Sequence, residues 1–261
     1  MPTPRPITDF SCLTFDCFGT LVDWEGGIYT ALAPLTSALA DAHPLKTDRA
    51  GLLKAFVQQE GIAQNAHPDA LYTTILADAY GGLAAELGLP SPGDAAAALF
   101  GASVGDWPAY PDTLDALRRL QHGYGHGFKL VILSNVDKAS FSRTLEKQFP
   151  GITFDAIYTA QDIGSYKPDL RNFEYLTSHC ESELGVPKHK IIHTAQSLFH
   201  DHVPAKQAGL VSAWIERGTG EGDVPSVMGG SLEELSDRVD FSWHFKSMGE
   251  MADAVEEARK K

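Results

Sequence analysis

The chain reads as an α/β protein: a doubly wound, mostly parallel sheet with a helical-bundle cap inserted near its beginning. Three observations predict this. An alternating apolar run over 13–21 stops abruptly at an aspartate and a Gly-Thr turn, as a strand does at its tip. Residues 23–102 carry apolar residues at helical spacing and no convincing strand. From about 113 onward helical and strand-like pieces alternate, which is the signature of a parallel sheet covered by helices. One strand precedes the helical module and the others follow it. A core of 1–22 and 103–261 and a cap of 23–102 are therefore expected.

Taken in order, the first strand is followed by helical stretches over 31–40, 52–64, 70–87 and 95–100. They are separated by Ala42-His43-Pro44, His67-Pro68-Asp69 and Pro90-Ser91-Pro92-Gly93, which carry the proline and glycine that interrupt helices. A helix over 113–121 leads to a strand over 128–133 that ends at Ser134-Asn135. A helix over 138–148, a strand over 155–158, a helix over 172–184 and a strand over 190–194 follow. A helix over 202–208 and a strand over 211–215 complete the rhythm. Residues 216–231 are rich in glycine and acid and read as a surface loop. The tail offers a capped helix from Ser231, an alternating segment over 241–245 and a final amphipathic helix.

Composition narrows the function classes. The 261 residues are 43% hydrophobic and 21% charged, ordinary for a soluble globular protein, and no stretch approaches the roughly 18 apolar residues of a membrane span. The Pro-rich opening, Met1-Pro2-Thr3-Pro4-Arg5-Pro6, lacks a secretory apolar run, so a cytoplasmic location is expected. Cys12, Cys17 and Cys180 have no paired spacing, which argues against a disulfide framework or a zinc site. A net charge of -13 disfavours nucleic acid and anionic membranes as partners. The basic end Arg259-Lys260-Lys261 suits a helix C-terminus.

In an open α/β sheet, ligands bind beyond the carboxyl ends of the strands. Asp16 stands at such an end, where either chemistry or simple turn capping accounts for it alone. Three more strand ends present polar residues: Ser134 with Asn135, Lys167 in Ser165-Tyr166-Lys167-Pro168-Asp169, and Asp201 in Leu198-Phe199-His200-Asp201-His202. A carboxylate can attack an electrophilic carbon or phosphorus and hold it as an ester, which suits Asp16 with Thr20 behind it. A lysine nearby would keep that carboxylate ionised, and Lys167 fits, although an exposed lysine after a turn is the plainer reading. Ser134 and Asn135 offer donors to a substrate anion or leaving group. Asp201 would orient Lys167 or a water, and a helix N-cap is compatible with that. Cys17, beside Asp16, reads more simply as a small buried residue than as a nucleophile.

These four motifs, in this order, resemble those of the haloacid dehalogenase superfamily, with a Rossmann-like core. The resemblance implies Asp16 as nucleophile, Lys167 and Asp201 as its catalytic partners, and Phe18, Thr20, Ser134, Asn135, Gln196 and His200 around the substrate. The family's phosphatases carry a second Asp two residues after the nucleophile, where this chain has Phe18, and an extra acid where it has Ser197. An apolar residue cannot protonate an alkoxide. Both departures point to the metal-independent L-2-haloacid dehalogenase branch, which uses no cofactor.

That branch is matched with gaps. Its last motif carries an Asn where this chain has Leu198, its tyrosine six residues after the lysine is Phe173, and its cap arginine has no counterpart, with Lys54 and Gln58 nearby. His193, Gln196, His200 and His202 come near the site instead, and a histidine could replace the lost water-handling group. Trp24, Tyr29 and Trp107 could line a pocket or pack the core. Three functions follow as alternatives. The first is a dehalogenase-type hydrolase acting on a small anionic 2-halocarboxylate without metal. The second is a phosphatase holding Mg2+ through Asp16 and Asp201. The third is a binding protein that has lost hydrolysis. A homodimer is left open.

Overall fold

A computed structural model describes residues 5–123, 127–218 and 226–260. Six strands form one sheet in the order β3-β2-β1-β4-β5-β6: β1 (Cys12–Phe15), β2 (Lys129–Ser134), β3 (Ala156–Thr159), β4 (Ile191–Ala195), β5 (Val211–Ile215) and β6 (Trp243–Phe245). Every neighbouring pair is parallel, so the expected mostly parallel sheet is parallel throughout its described residues. β1 sits at the centre with all four residues buried, as a strand covered on both faces must be.

Alternate side chains feed two cores. Leu13, Phe15, Leu130 and Ile132 join the larger one, whereas Cys12, Val131, Leu133 and Ile191 join the other. Twelve described helices surround the strands. α1 (Trp24–Ala31), α2 (Ala33–Ala38), α3 (Arg49–Ala66), α4 (Tyr72–Glu86) and α5 (Asp94–Ala102) lie between β1 and β2, followed by α6 (Thr113–His122). α7 (Lys138–Gln148), α8 (Ala160–Ile163), α9 (Leu170–Leu184), α10 (Val203–Ala208), α11 (Leu232–Leu235) and α12 (Met248–Arg259) follow. Leu117 of α6, Phe141 of α7 and Met251 of α12 cover one face, and Phe173 of α9 and Ala205 of α10 cover the other. None of the described helices is long and apolar enough to cross a membrane.

The helices between β1 and β2 pack around aromatics. Trp24, Phe56 and Phe100 form a chain with centroids 6.1 and 5.5 Å apart, and Trp107 joins Trp24 to Phe18 through edge-on contacts of 6.4 and 5.8 Å. Such pairs add about 0.5–1.5 kcal/mol each beyond area burial. The first helix begins earlier than the apolar spacing over 31–40 indicates. Asp23 caps it by accepting from Gly26 N, and Gly27 lies flat on Trp107, where a methyl group would collide with the indole. Glycine here serves close packing, a requirement that helix propensity does not register.

Between β4 and α10 the chain makes a π-helical turn, Leu198–His202, so the helix expected over 202–208 begins at Val203. Part of the loop expected over 216–231 lies outside the described residues. Cys12, Cys17 and Cys180 are free and buried.

Candidate active site

Asp16 is the first residue beyond β1, and its backbone N–H donates to Thr194 O at 3.1 Å, fixing it against β4. The chain then turns sharply, with Cys17 O accepting from the backbone of Thr20, Leu21 and Val22. Gly19 has φ +98°, and an added Cβ would meet Met228 Cε, so this turn requires glycine. The turn brings Thr20 Oγ1 back to donate to Asp16 Oδ2 at 2.7 Å, while Gln196 N donates to Thr20 Oγ1 at 2.9 Å. Asp16 is thus not a turn cap. Arg217, buried and absent from the sequence-based expectations, donates through Nε to Thr20 O at 3.0 Å and pairs with Asp112 at 2.7 Å, which pins the turn from behind.

Lys167 is fully buried. Its ammonium donates to Asp16 Oδ1 at 2.8 Å, Asp201 Oδ1 at 2.7 Å and Leu133 O at 3.0 Å. All three of its hydrogens are therefore committed. Burial alone would pull this lysine down, but the two carboxylates outweigh it and hold it above its ordinary range. Burial pushes Asp16 up and Asp201 adds to that, opposed by Lys167. Asp201 resists its own burial because Lys167 and His193 hold it well below the usual carboxylate range. One lysine between two carboxylates leaves Asp201 the firmly ionised member.

His193 bridges β1 and the triad. Its Nε2 donates to Asp201 Oδ1 at 2.9 Å, an assignment forced by the acceptor-only carboxylate, and its Nδ1 meets Thr14 Oγ1 at 2.9 Å. Asp201 Oδ2 is buried without a partner, and so is Ser134 Oγ at the end of β2. Unsatisfied buried groups are rare enough to require a reason, and a ligand or water is the usual one. Asp201 accepts no capping bond, and the turn beneath it is capped by Ser197, whose Oγ accepts from His200 N at 3.0 Å.

A cavity of about 90 Å³ opens over these groups, lined by Asp16, Phe18, Ser134, Asn135, Lys167, Ser197, His200 and Asp201 from the strand ends and by Trp24, Val57, Glu60, Gln64 and Tyr72 from the helices between β1 and β2. It adjoins an outer cavity of about 710 Å³. Phe18 presents an apolar wall against Asp16. His200 is half-buried at the rim, and burial brings its imidazole down to about 4, so it is neutral near pH 7.

Other expected residues are placed differently. Asn135 lines the cavity, but its amide is engaged at both ends: Nδ2 donates to Lys167 O at 3.0 Å and Oδ1 accepts from Lys167 N at 2.7 Å. It holds the lysine's backbone instead of offering a free donor. Gln196 turns away from the cavity lining, and its Nε2 donates to Met228 O at 3.0 Å. His202 is wholly buried between Ala195 O at 3.0 Å and Ser212 Oγ at 2.9 Å, outside the cavity. Leu198 points into a separate core with Val203 and Trp214, and Phe173 stacks edge-on against His193 at 5.4 Å. Lys54 and Gln58 are exposed and do not line the cavity. Trp24 lines it, Trp107 packs behind Phe18, and Tyr29 lies beneath Arg49. Burial pushes the Cys17 thiol well up, away from nucleophilic use.

Glu60, like Arg217, is a residue that sequence reasoning missed. It lines both cavities, and Tyr72 Oη donates to its Oε1 at 2.5 Å while Trp24 Nε1 donates to Tyr72 Oη at 3.0 Å. A signal existed: Val57, Glu60 and Gln64 recur at helical spacing beside the buried Phe56.

Comparison with known proteins finds solved structures of the same fold. The L-2-haloacid dehalogenase PA0810 superposes with a TM-score of 0.70 at 22% identity, covering 94% of this chain and 97% of that one. The L-2-haloacid dehalogenase from Xanthobacter autotrophicus with chloropropionic acid covalently bound gives 0.66 at 18%, covering 94% and 98%. The HAD-hydrolase YfnB from Bacillus subtilis, described as putative in its structure's name and bound to magnesium, gives 0.67 at 16% with the same coverage. No curated protein matches the sequence. The family model for haloacid dehalogenase-like hydrolases matches residues 10–194, which span β1 to β4 and hold Asp16, Ser134 and Lys167, and the chain belongs to that family.

Proposed function

We propose that the chain is a hydrolase of the 2-haloacid dehalogenase type, in which Asp16 displaces halide from a carbon beside a carbonyl group, with residues 23–102 acting as a cap on a core of 1–22 and 103–261. The observation that carries this reading is the Asp16–Lys167–Asp201 triad facing a cavity that Phe18 also lines. An Asp16 oxygen bonds to carbon as the carbon–halogen bond breaks, and the bonding pair leaves with the halide. Water then adds to Asp16 Cγ. The Cγ–O bond to the product breaks, one water proton ends on the departing oxygen, and the other is released as the carboxylate re-forms.

Each neighbour has a part in this scheme. Lys167 holds Asp16 ionised and aimed. Ser134, with a free hydroxyl, donates to the leaving group or to the oxyanion on Cγ. Asp201 Oδ2, the unspent acceptor, orients the water. Phe18 leaves no acid to assist an alkoxide, which favours a leaving group that departs unprotonated.

The second reading, magnesium-dependent phosphoryl transfer, draws on the likeness to YfnB. The donor set does not fit it. Magnesium seeks an octahedron of hard oxygens with one or two carboxylates. Asp16 accepts from Lys167 and Thr20, and Asp201 Oδ1 accepts from Lys167 and His193, so Asp201 Oδ2 is the carboxylate oxygen left over. Among the described residues no group of three or more His, Cys, Asp or Glu is placed to hold a metal.

Intact mass measurement of protein quenched during turnover of short 2-halo compounds tests the proposal. An adduct on the Asp16 peptide, lost in Asp16→Asn, is expected. Neither adduct nor halide release from any member of the panel would sink it.

A further inference from the structure

Among the described residues the cavity has an acidic wall and no cation with hydrogens to spare. A 2-halocarboxylate must be gripped by its carboxylate, and a carboxylate is best held by a guanidinium or ammonium with hydrogens to spare. Lys167, the cation in the inner lining, has all three hydrogens bound to Asp16, Asp201 and Leu133 O. In the outer cavity Arg171 pairs with Asp169 at 2.9 Å. On α3, Lys54 is exposed and outside both linings, and Arg49 lies over the Tyr29 ring, also outside them. With Asp16, Asp201 and Glu60 beside Lys167, the inner lining offers an anion no cation with hydrogens to spare.

Glu60 occupies the wall that faces the strand ends from the helical side. Its Oε1 is committed, because Tyr72 Oη donates to it, and Tyr72 is in turn fixed by Trp24 Nε1. This chain of donors holds the carboxylate in one orientation, with Tyr72 and Trp24 themselves lining the cavity. Oε2 has no partner among the described residues. A rigidly held carboxylate oxygen in a small cavity is an acceptor waiting for an N–H.

We propose that Glu60 determines substrate class, accepting an N–H of an uncharged 2-haloamide through Oε2 while Asp16 attacks the carbon bearing the halogen. The assignment rests on the Asp16 ester reading and narrows it. An amide activates the neighbouring carbon toward displacement as a carboxylic acid does, carries the N–H that Glu60 lacks, and brings no charge to oppose Asp16. The bonds made and broken are those already described, so the product is the 2-hydroxyamide with release of halide and a proton. Burial brings the Glu60 carboxyl up to about 7. It becomes a full acceptor above that pH and a competing donor below it, so amide recognition strengthens as pH rises through 7.

The test compares chloride release from 2-chloropropionamide and 2-chloropropionate by the parent, Glu60→Gln and Glu60→Arg, with intact mass measured for Asp16 adducts in every case. The parent is expected to prefer the amide at least about tenfold in kcat/KM, a difference of roughly 1.4 kcal/mol. Glu60→Gln should lower kcat/KM for the amide by about tenfold and flatten its rise with pH, and Glu60→Arg should reverse the preference. Glu60→Gln is nearly isosteric, and a thermal melt checks that each variant is folded. A preference for the acid in the parent, or a ratio unmoved by both variants while Asp16 adducts still form, overturns the role of Glu60 and leaves the ester reading standing. Absence of adduct and chloride with both compounds overturns the two together.

Discussion

Lys167→Met removes the one cation from between two buried carboxylates. Asp16 and Asp201 are both nearly inaccessible and both lie within 2.8 Å of the ammonium, so neither can turn to water for compensation. Breaking such a pair from one side costs about 3–5 kcal/mol, because a buried charge is left without its partner. The loss should depend on pH with a definite sign. In the parent, Asp201 is held below its unfolded value, so its contribution is present at neutral pH and lost as pH falls. In the variant only the Thr20 hydroxyl still opposes the burial and the Asp201 charge that raise Asp16, so its folded pKa moves further above the unfolded value of about 4. The variant is then favoured at acid pH and loses stability as pH rises through that folded value. Urea denaturation at about pH 8 should show a gap of about 3–5 kcal/mol between parent and variant, shrinking by roughly half at about pH 5. Adding Asp16→Asn to Lys167→Met should restore about 1–3 kcal/mol at the higher pH through pairwise coupling. A gap below about 1 kcal/mol at both pH values would refute the picture of one lysine neutralising two carboxylates.

Further outcomes are expected elsewhere in the site. Ser134→Ala should lower kcat about 100-fold, as loss of an oxyanion donor does, while the melting temperature stays put; a large fall in stability would mean the hydroxyl is structural. His202→Ala should cost about 2 kcal/mol or more by stranding Ala195 O and Ser212, with kcat of the folded fraction unchanged, read from denaturation and turnover together. Burial holds His202 at about 4 against an ordinary 6.5, so its neutral form contributes stability that is lost as pH falls from 6.5 toward 4, roughly 3 kcal/mol in all; a denaturation midpoint flat across that range would contradict it. Gly19→Ala should cost about 1–3 kcal/mol from its positive φ, and Met228→Ala should relieve only the steric share, as a double-mutant cycle would show.

How much of this was legible in the sequence depended on what set each side chain's direction. Asp16 and Ser134 could be brought together from the order of strands, because a parallel sheet delivers its strand ends to one edge, whereas Lys167, which follows α8, and Asp201, in the π-helical turn, were placed by the family resemblance. Asn135 was legible as a site residue but not as a clamp, since an amide bonded at both ends to the backbone of one residue is a matter of ångströms. The histidines after β4 could not be sorted by spacing. The π-helical turn advances the chain by an extra residue, sending His202 into the core and Asp201 toward Lys167, and no local pattern announces it. Glu60 was hidden for another reason. The rotation of α3 about its axis is set by Leu52, Leu53, Phe56 and Ala63 packing inward, and only then does its neighbouring face become the roof of a cavity. Gly26 and Gly27 masked the first helix because they are there for Trp107 and the cap, against their own propensity.

Tyr166 precedes Lys167 in the chain, and its hydroxyl donates to Ala70 O at 2.7 Å, across from the strand ends to the loop between α3 and α4. Lys167, which pairs with Asp16, is thus one peptide unit from a tether to the opposite wall. If that wall swings outward, the bond must stretch or break, and the strain falls first on the segment carrying Lys167. The segment carrying Lys167 is held on its other side by Asn135. In the proposed reaction, a displacement of that wall would therefore be felt at the residue that holds Asp16.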